Sequence, residues 1–460
     1  MEFTSLTFLF FIILFFFSYQ IIKDEYKKVL CLVSSYIFYA TWDWRFLFLL
    51  ILSSLIDFFI SLKIEKSEDK KFLVSLSVIL NLLILGVFKY FNFFSESFSK
   101  LLTIFSLNYD PIYLSIILPL AISFYTFQSM GYTIDVYKGK LKPEKNFLTF
   151  LTFISFFPQL IAGPIMRGKK MLPQIESLTK IKAANLILGL ELIIIGFFLK
   201  LCIADRIGIY VEEPFNNPQN FGGAVLLISS FFFSFQIYAD FGGYSLIAIG
   251  LARVIGIKLI KNFTQPYFAH SMRSFWTKWH ISLSGWLKDY LYIPLGGNKK
   301  GKLSTFRNIM IVMILGGLWH GASVNFIIWG FFHSFLIITE NIIRPKKPFP
   351  VSISIFYVFS MTSLAWIFFR AKDLDTAYIF FTKIFSIDSY WLNFSFDLFN
   401  FLISSIFICI FIILDIFEVK KNKLKKKTRT FLRIIQITIL LWLISFLGVF
   451  KGSNFIYFQF

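Results

Sequence analysis

The sequence predicts an all-α integral membrane protein, and three observations carry that prediction: its apolar composition, the length of its uncharged runs and the placing of its basic residues. Of 460 positions, 57% are hydrophobic and only 16% charged, with a mean hydropathy of +0.71. A soluble domain holds roughly 45–50% apolar and about 25% charged residues, so this chain lacks the polar surface that water requires. Apolar runs recur at close to the ~20 helical residues that cross a hydrocarbon core. Basic residues fall between those runs, at Lys63–Lys71, Lys138–Lys145, Arg167–Lys182, Lys299–Arg307 and Lys420–Arg433. That is the positive-inside pattern, with attraction to anionic lipid as a secondary consequence. The net charge of +20 therefore does not point to nucleic acid, for which no soluble segment is long enough.

The first run, Phe3 to Ile22, holds no charge. It has no basic leader and no small-residue cleavage site, so it reads as a retained span rather than a signal peptide. Further spans fall at 29–40, 46–62, 72–94, 112–136, 147–165, 183–204, 223–250, 308–320, 324–343, 351–369, 396–418 and 431–450. The shorter ones read as hairpin halves, re-entrant pieces or tilted helices, which leaves about 11 crossings. No repeat and no low-complexity linker is visible. One domain over 1–460 is expected, and an inverted-repeat transporter is disfavoured. Lys23, Lys27 and Lys28 follow the first span, which puts that end in the cytoplasm and Met1 outside. The dense run Lys420–Arg433 precedes the last span, so the helix and tail over 431–460 start inside and finish outside. Both termini are expected on the extracytoplasmic face of the inner membrane.

Between Pro266 and Lys302 the chain is too polar to span yet rich in aromatic residues. A helix over 273–293 would place Trp276, Trp279, His280, Leu283, Leu287 and Tyr290 on one face, with Arg273, Lys278 and Lys288 largely elsewhere. That pattern predicts a helix lying in the cytoplasmic interface, ended by Pro294, Gly296 and Gly297.

Few residues are equipped for chemistry. Cys31, Cys202 and Cys409 all sit in apolar runs with no spaced partner, as small buried hydrophobes rather than a disulfide or zinc framework. No metal-ligand cluster, phosphate-binding glycine loop, HExxH or GxSxG pattern occurs, and no bound cofactor is expected. Four histidines remain. His320 lies in LGGLWHGAS (315–323) inside an apolar stretch flanked by glycines. An imidazole at lipid depth needs a partner or a cavity; a structural histidine at a helix end is the alternative. His280 is either catalytic or part of the interfacial packing. His333 reads as a helix–helix donor, His270 as a surface residue. Asp240, in QIYADFGGYS (236–245) with Gln236 one turn before it, is a functional candidate as an intramembrane carboxylate, or else a polar lock between helices. Asp205 with Arg206 reads as an interfacial ion pair, and Arg167 as a topogenic charge or an anion contact.

The segments QLIAGPI (159–165), QIYADFGGYS (236–245), FWTKWHISLSGWLKDYLYIPLGGN (275–298) and LGGLWHGASVNFIIWG (315–330) resemble the membrane-bound O-acyltransferase family. The likeness is to its bacterial branch, which serves alginate and peptidoglycan O-acetylation and teichoic-acid D-alanylation. The signature core spans about 159–335; the flanking spans match in hydropathy alone. The resemblance implies a helical bundle around a central tunnel, with His320 at the catalytic position and His280 at the second signature position. Asp240 matches the acidic position of its motif. Trp279 and Trp319, each beside a motif histidine, are candidate substrate contacts together with Asp240.

Acyl transfer from a thioester to a hydroxyl needs a base near neutral pH, which suits histidine. His320 would be that base, and His280 would orient substrate or stabilise the carbonyl oxygen. Acetyl-CoA or a carrier-bound acyl thioester would be the donor, its phosphates met by Lys278, Lys288, Lys299 and Lys300. The tail FIYFQF (455–460) resembles a short aromatic motif of bacterial relatives. It suggests that Tyr457 accepts the acyl group covalently and presents it outside; an aromatic belt is the plainer reading. The expected partner is an extracytoplasmic acetyltransferase acting on a polysaccharide. D-alanyl transfer, acylation of a lipid or lipopolysaccharide, and a proton-coupled transporter are the rivals.

Overall fold

A computed structural model describes residues 1–107, 109–343, 349–390, 397–421, 426–450, 452 and 455–456. Among these, every regular element is helical. Eight helices are long and apolar enough to cross a membrane: Arg45–Lys66, Lys70–Ile104, Ala183–Asn216, Gly223–Val254, Val324–Ile343, Val351–Arg370, Leu398–Lys420 and Thr430–Leu447. Leu6–Ile21 and Phe147–Leu160 are shorter apolar helices. The run expected as one span over 112–136 is not one: the helix covers only Ile122–Tyr137. Pro119 cannot donate a backbone bond, and Ala121, at φ 60°, turns the chain before the helix begins.

Contacts group the chain into two compact units. The first comprises Met1–Leu190, Ala248–Ile260 and Gly321–Ser323. Its opening helix, Leu6–Ile21, starts where the Ser5 side chain accepts the Phe8 N–H, satisfying one of the orphan donors of a helix start. Phe157 packs edge-on to Phe11 at 5.3 Å and Phe15 at 5.1 Å. Asp57, fully buried, accepts hydrogen bonds from Ser77 (2.5 Å), Asn81 (2.8 Å) and Ser129. Three helices are thereby tied by one carboxyl group, as a buried polar group requires.

The second unit comprises Glu191–Ile247, Lys261–His320 and Val324–Phe460. Its central feature is the hairpin of Lys302–His320 and Val324–Ile343. Its two backbones touch because glycines face them. A Cβ on Gly317 would lie 2.1 Å from the Phe326 carbonyl oxygen, and one on Gly330 2.3 Å from that of Met313. Gly243 is likewise crowded: a Cβ there would sit 2.8 Å from the Gly196 oxygen.

Two local expectations are corrected. The single helix over 273–293 is broken into Met272–Lys278 and Ile281–Leu287, followed by a π-helical turn at Lys288–Tyr292. Trp279 and His280 are fully buried rather than interfacial. Asp205 does not pair with Arg206. It accepts from Lys200 at 2.8 Å, while Arg206 donates to the Leu447 carbonyl at 2.9 Å. Lys200 lies in a π-helical turn, Leu199–Ala204, which carries it to the carboxylate.

Candidate active site

The break at His280 builds the site. His280 has φ 42° and ψ 52°, left-handed values that cost a non-glycine residue on the order of 1 kcal/mol. Asn262 holds the turn. Its backbone carbonyl accepts the Ile281 N–H at 2.9 Å, its side-chain oxygen accepts the Ser282 hydroxyl at 2.7 Å, and its amide donates to Ser245 at 3.2 Å. Upstream, both oxygens of Glu340 accept the Met272 N–H at 2.9 Å, pinning the short helix to the hairpin. The kink turns the His280 ring inward.

His320 is the last residue of its helix, where the hairpin turns, and is 4% exposed. Its ring centroid lies 6.3 Å from that of His280, although 40 residues separate positions 280 and 320. Trp319 packs at 5.0 Å, Trp329 at 5.2 Å and Phe369 at 5.2 Å, each edge-on. His280 meets Phe241 at 4.8 Å and Trp319 at 5.7 Å. In this apolar setting burial pushes the His280 imidazole down to about 3, so it is neutral near pH 7 and acts through its hydrogen-bonding nitrogens.

A cavity of about 810 Å³ reaches His320. Its lining includes exposed Arg273, Lys288 and Lys299 as well as buried His320 and Trp329. It therefore runs from a cationic surface to the candidate base. That volume falls within the ~300–1,000 Å³ typical of small-molecule sites.

Among the residues singled out from sequence, Lys288, Lys299 and His320 line the cavity, and Trp319 touches both histidine rings. Trp279 does not line it. It is walled in by Phe275 at 5.6 Å and Trp366 at 4.9 Å. Lys278 points to the Phe268 carbonyl at 3.4 Å, and Lys300 is not part of the lining. Asp240 forms an ion pair with Lys200 at 2.9 Å and accepts from the Ile456 N–H at 2.7 Å. His333 is fully buried between Trp329 (4.8 Å) and Trp276 (5.1 Å), and His270 is exposed. Tyr457 lies outside the described residues. Sequence reasoning missed Asn262, Trp366 and Phe369. None sits in a motif, and a lone asparagine in a loop carries no signal.

The family model for the membrane-bound O-acyltransferases matches residues 144–350, which contain the kink, the hairpin and both histidines. The chain is 38% identical over 405 residues to the probable alginate O-acetylase of Pseudomonas putida, covering 85% of this chain and 82% of that one. It is 36% identical over 386 residues to the peptidoglycan O-acetyltransferase of Helicobacter pylori, covering 76% and 72%. With the teichoic acid D-alanyltransferase of Bacillus subtilis it shares 31% identity over 234 residues, covering 48% and 58%. A multi-pass helical membrane fold and this extent of identity together place the chain in the membrane-bound O-acyltransferase family, as an O-acyltransferase.

Proposed function

We propose that the enzyme takes an acetyl group from a cytoplasmic thioester, acetyl-CoA, and passes it through the membrane for O-acetylation of an extracytoplasmic polysaccharide. The observation that carries this reading is the cavity joining Arg273, Lys288 and Lys299 to His320. Exposed cations suit the phosphates of the donor, and the apolar interior suits its thioester end. His320 removes the proton of the attacking hydroxyl, the hydroxyl oxygen bonds to the thioester carbonyl carbon, and the proton passes to the departing thiolate. His280, neutral, donates to the carbonyl oxygen as negative charge builds there. Trp319 keeps the two rings in register.

The attacking hydroxyl is that of Tyr457, which becomes an acetyl-tyrosine and hands the group to an extracytoplasmic acetyltransferase. Support comes from the neighbouring residues. Phe455 packs 6.0 Å from Phe241, whose ring meets His280 at 4.8 Å. The basic clusters favour an inner-membrane placement with both termini extracytoplasmic, so the tail enters from the face where the polymer lies. Acetyl rather than D-alanyl transfer is favoured because identity to the O-acetylating relatives is higher and covers 76–85% of the chain, against 48–50% for the D-alanyltransferases.

The test is purified protein in nanodiscs with radiolabelled acetyl-CoA, comparing wild type, His320→Ala and Tyr457→Phe. Label on the C-terminal peptide of wild type, absent from both variants, is expected. Undiminished turnover in His320→Ala would remove it as the base. No turnover with acetyl-CoA, but turnover with an aminoacyl carrier protein, would transfer the enzyme to the D-alanylating branch.

A further inference from the structure

The chain does not leave the protein where its last helix ends. Beyond Leu447 it is held at successive points along one wall of the second unit. Arg206 donates to the Leu447 carbonyl at 2.9 Å, and the Val449 N–H donates to the Leu201 carbonyl at 3.0 Å. Gly452 lies so close to Asp205 that a Cβ would fall 2.4 Å from the carboxylate. Phe455 stacks on Tyr244 at 4.3 Å and 28°, and the Ile456 N–H donates to Asp240 Oδ2 at 2.7 Å. Phe455 and Ile456 are 0% and 4% exposed, as deeply buried as the histidines.

What makes that docking point is a charge arrangement. A carboxylate inside a helical bundle needs a compensating cation. Lys200 supplies it, with Nζ 2.9 Å from Asp240 Oδ1 and 2.8 Å from Asp205 Oδ1, and 5.7 Å from the centre of the Tyr244 ring. The other oxygen of Asp240 is thereby free to accept a charge-assisted bond from the tail, stronger than a neutral one. The π-helical turn at Leu199–Ala204 serves both ends of this: it presents the Leu201 carbonyl to Val449 and carries Lys200 to the two carboxylates. Such turns in otherwise regular helices frequently occur at functional sites.

We propose that Lys200 and Asp240 form a docking clamp for the C-terminal segment, and act as positioning residues that fix the tail against Tyr244 and Phe241, the residue that packs on His280. The clamp rests on the reading of Tyr457, one residue beyond the clamped amide, as the acyl acceptor. It assigns to Asp240 a hold on the protein's own tail in place of a substrate contact. Clamping sets the reach and direction of the next residue, because a peptide fixed at residue 456 leaves only a few dihedral angles before the phenol.

The experiment uses the full-length protein in nanodiscs and two variants. Asp240→Val removes the acceptor while leaving the Lys200–Asp205 pair neutral. Ile456→Pro removes the donated hydrogen and leaves every charge in place. Hydrogen exchange of the C-terminal peptide is followed by mass spectrometry, alongside kcat and donor KM for acetyl-CoA turnover and the same measurements on Tyr457→Phe. In both clamp variants the peptide is expected to exchange at least about tenfold faster than in wild type. Exchange over 315–330 should be unchanged, and kcat should fall at least about tenfold with donor KM constant, because the cavity is intact. Unchanged protection of the tail in both variants would overturn the clamp, whatever happens to transfer. Lost protection with full kcat would overturn its positioning role. Full transfer by Tyr457→Phe would show instead that the relay, and not the clamp, is the part that fails.

Discussion

Gly317→Ala tests whether the separation of the two histidines is set by backbone contact within the hairpin. The added Cβ would lie 2.1 Å from the Phe326 carbonyl oxygen, whereas a carbon meets a carbonyl oxygen at about 3.3 Å in ordinary contact. The obstacle is backbone, with no flexible end to swing aside, so the helices must part by about 1 Å. Gly330, a Cβ at which would stand 2.3 Å from the Met313 oxygen, leaves no slack on the opposite side. His320 is three residues beyond Gly317 at the end of the same helix, and its ring moves with it relative to His280 at 6.3 Å and Trp329 at 5.2 Å. A misplacement of about 1 Å costs a catalytic group roughly 100-fold in rate, and overpacking costs about 1–3 kcal/mol of stability. Acetyl-CoA turnover in nanodiscs and the thermal midpoint by intrinsic fluorescence read the two effects separately. Gly86→Ala, with nothing within 4 Å of its added Cβ, is the matched control and should behave as wild type. If Gly317→Ala kept kcat within twofold of wild type and melted at the same temperature, the hairpin would not be what spaces the histidines.

Other perturbations address the kink, the donor and the protonation state. Asn262→Ala strips the Ser282 hydroxyl of its acceptor in a buried setting and should cost about 1–3 kcal/mol, with kcat reduced; a thermal midpoint equal to wild type would mean that the kink is held elsewhere. Lys288→Glu combined with Lys299→Glu reverses two exposed charges on the cavity. Donor KM should rise by at least about tenfold and lose its salt dependence, with kcat little changed; an unaltered KM would place the phosphates elsewhere. Because burial holds His280 far below its ordinary 6.5, at about 3, the unfolded chain takes up that proton first as pH falls. The stabilisation is complete above about pH 6.5 and is lost towards pH 3, at up to about 1.4 kcal/mol per pH unit. Wild type should therefore lose thermal stability more steeply than His280→Asn over that window, and parallel curves would show that His280 is not held neutral by the fold.

The membrane class, the approximate spans and the two motif histidines were legible in the sequence because each is a local property. A run of apolar side chains meets lipid wherever it lies along the chain, and a histidine among glycines and tryptophans is conspicuous without knowing its neighbours. Periodicity failed at Trp279 and His280 for a definable reason. It reports which face side chains share, whereas the break depends on Asn262 and Glu340, which take up backbone donors from other parts of the chain. Gln236, one turn from Asp240, was the partner that local spacing suggested. Lys200, from a different helix, is the one at 2.9 Å, since in a bundle the cation that neutralises a carboxylate comes from whichever helix packs against it. The sequence by itself determined which groups are available for acyl transfer; only the tertiary structure decided that the rings of two of them lie 6.3 Å apart, that a cation-lined cavity reaches one, and that Phe455 packs on Phe241, the residue that meets the other. The physical reason is that charge compensation, backbone crowding and cavity shape are set by residues distant in sequence.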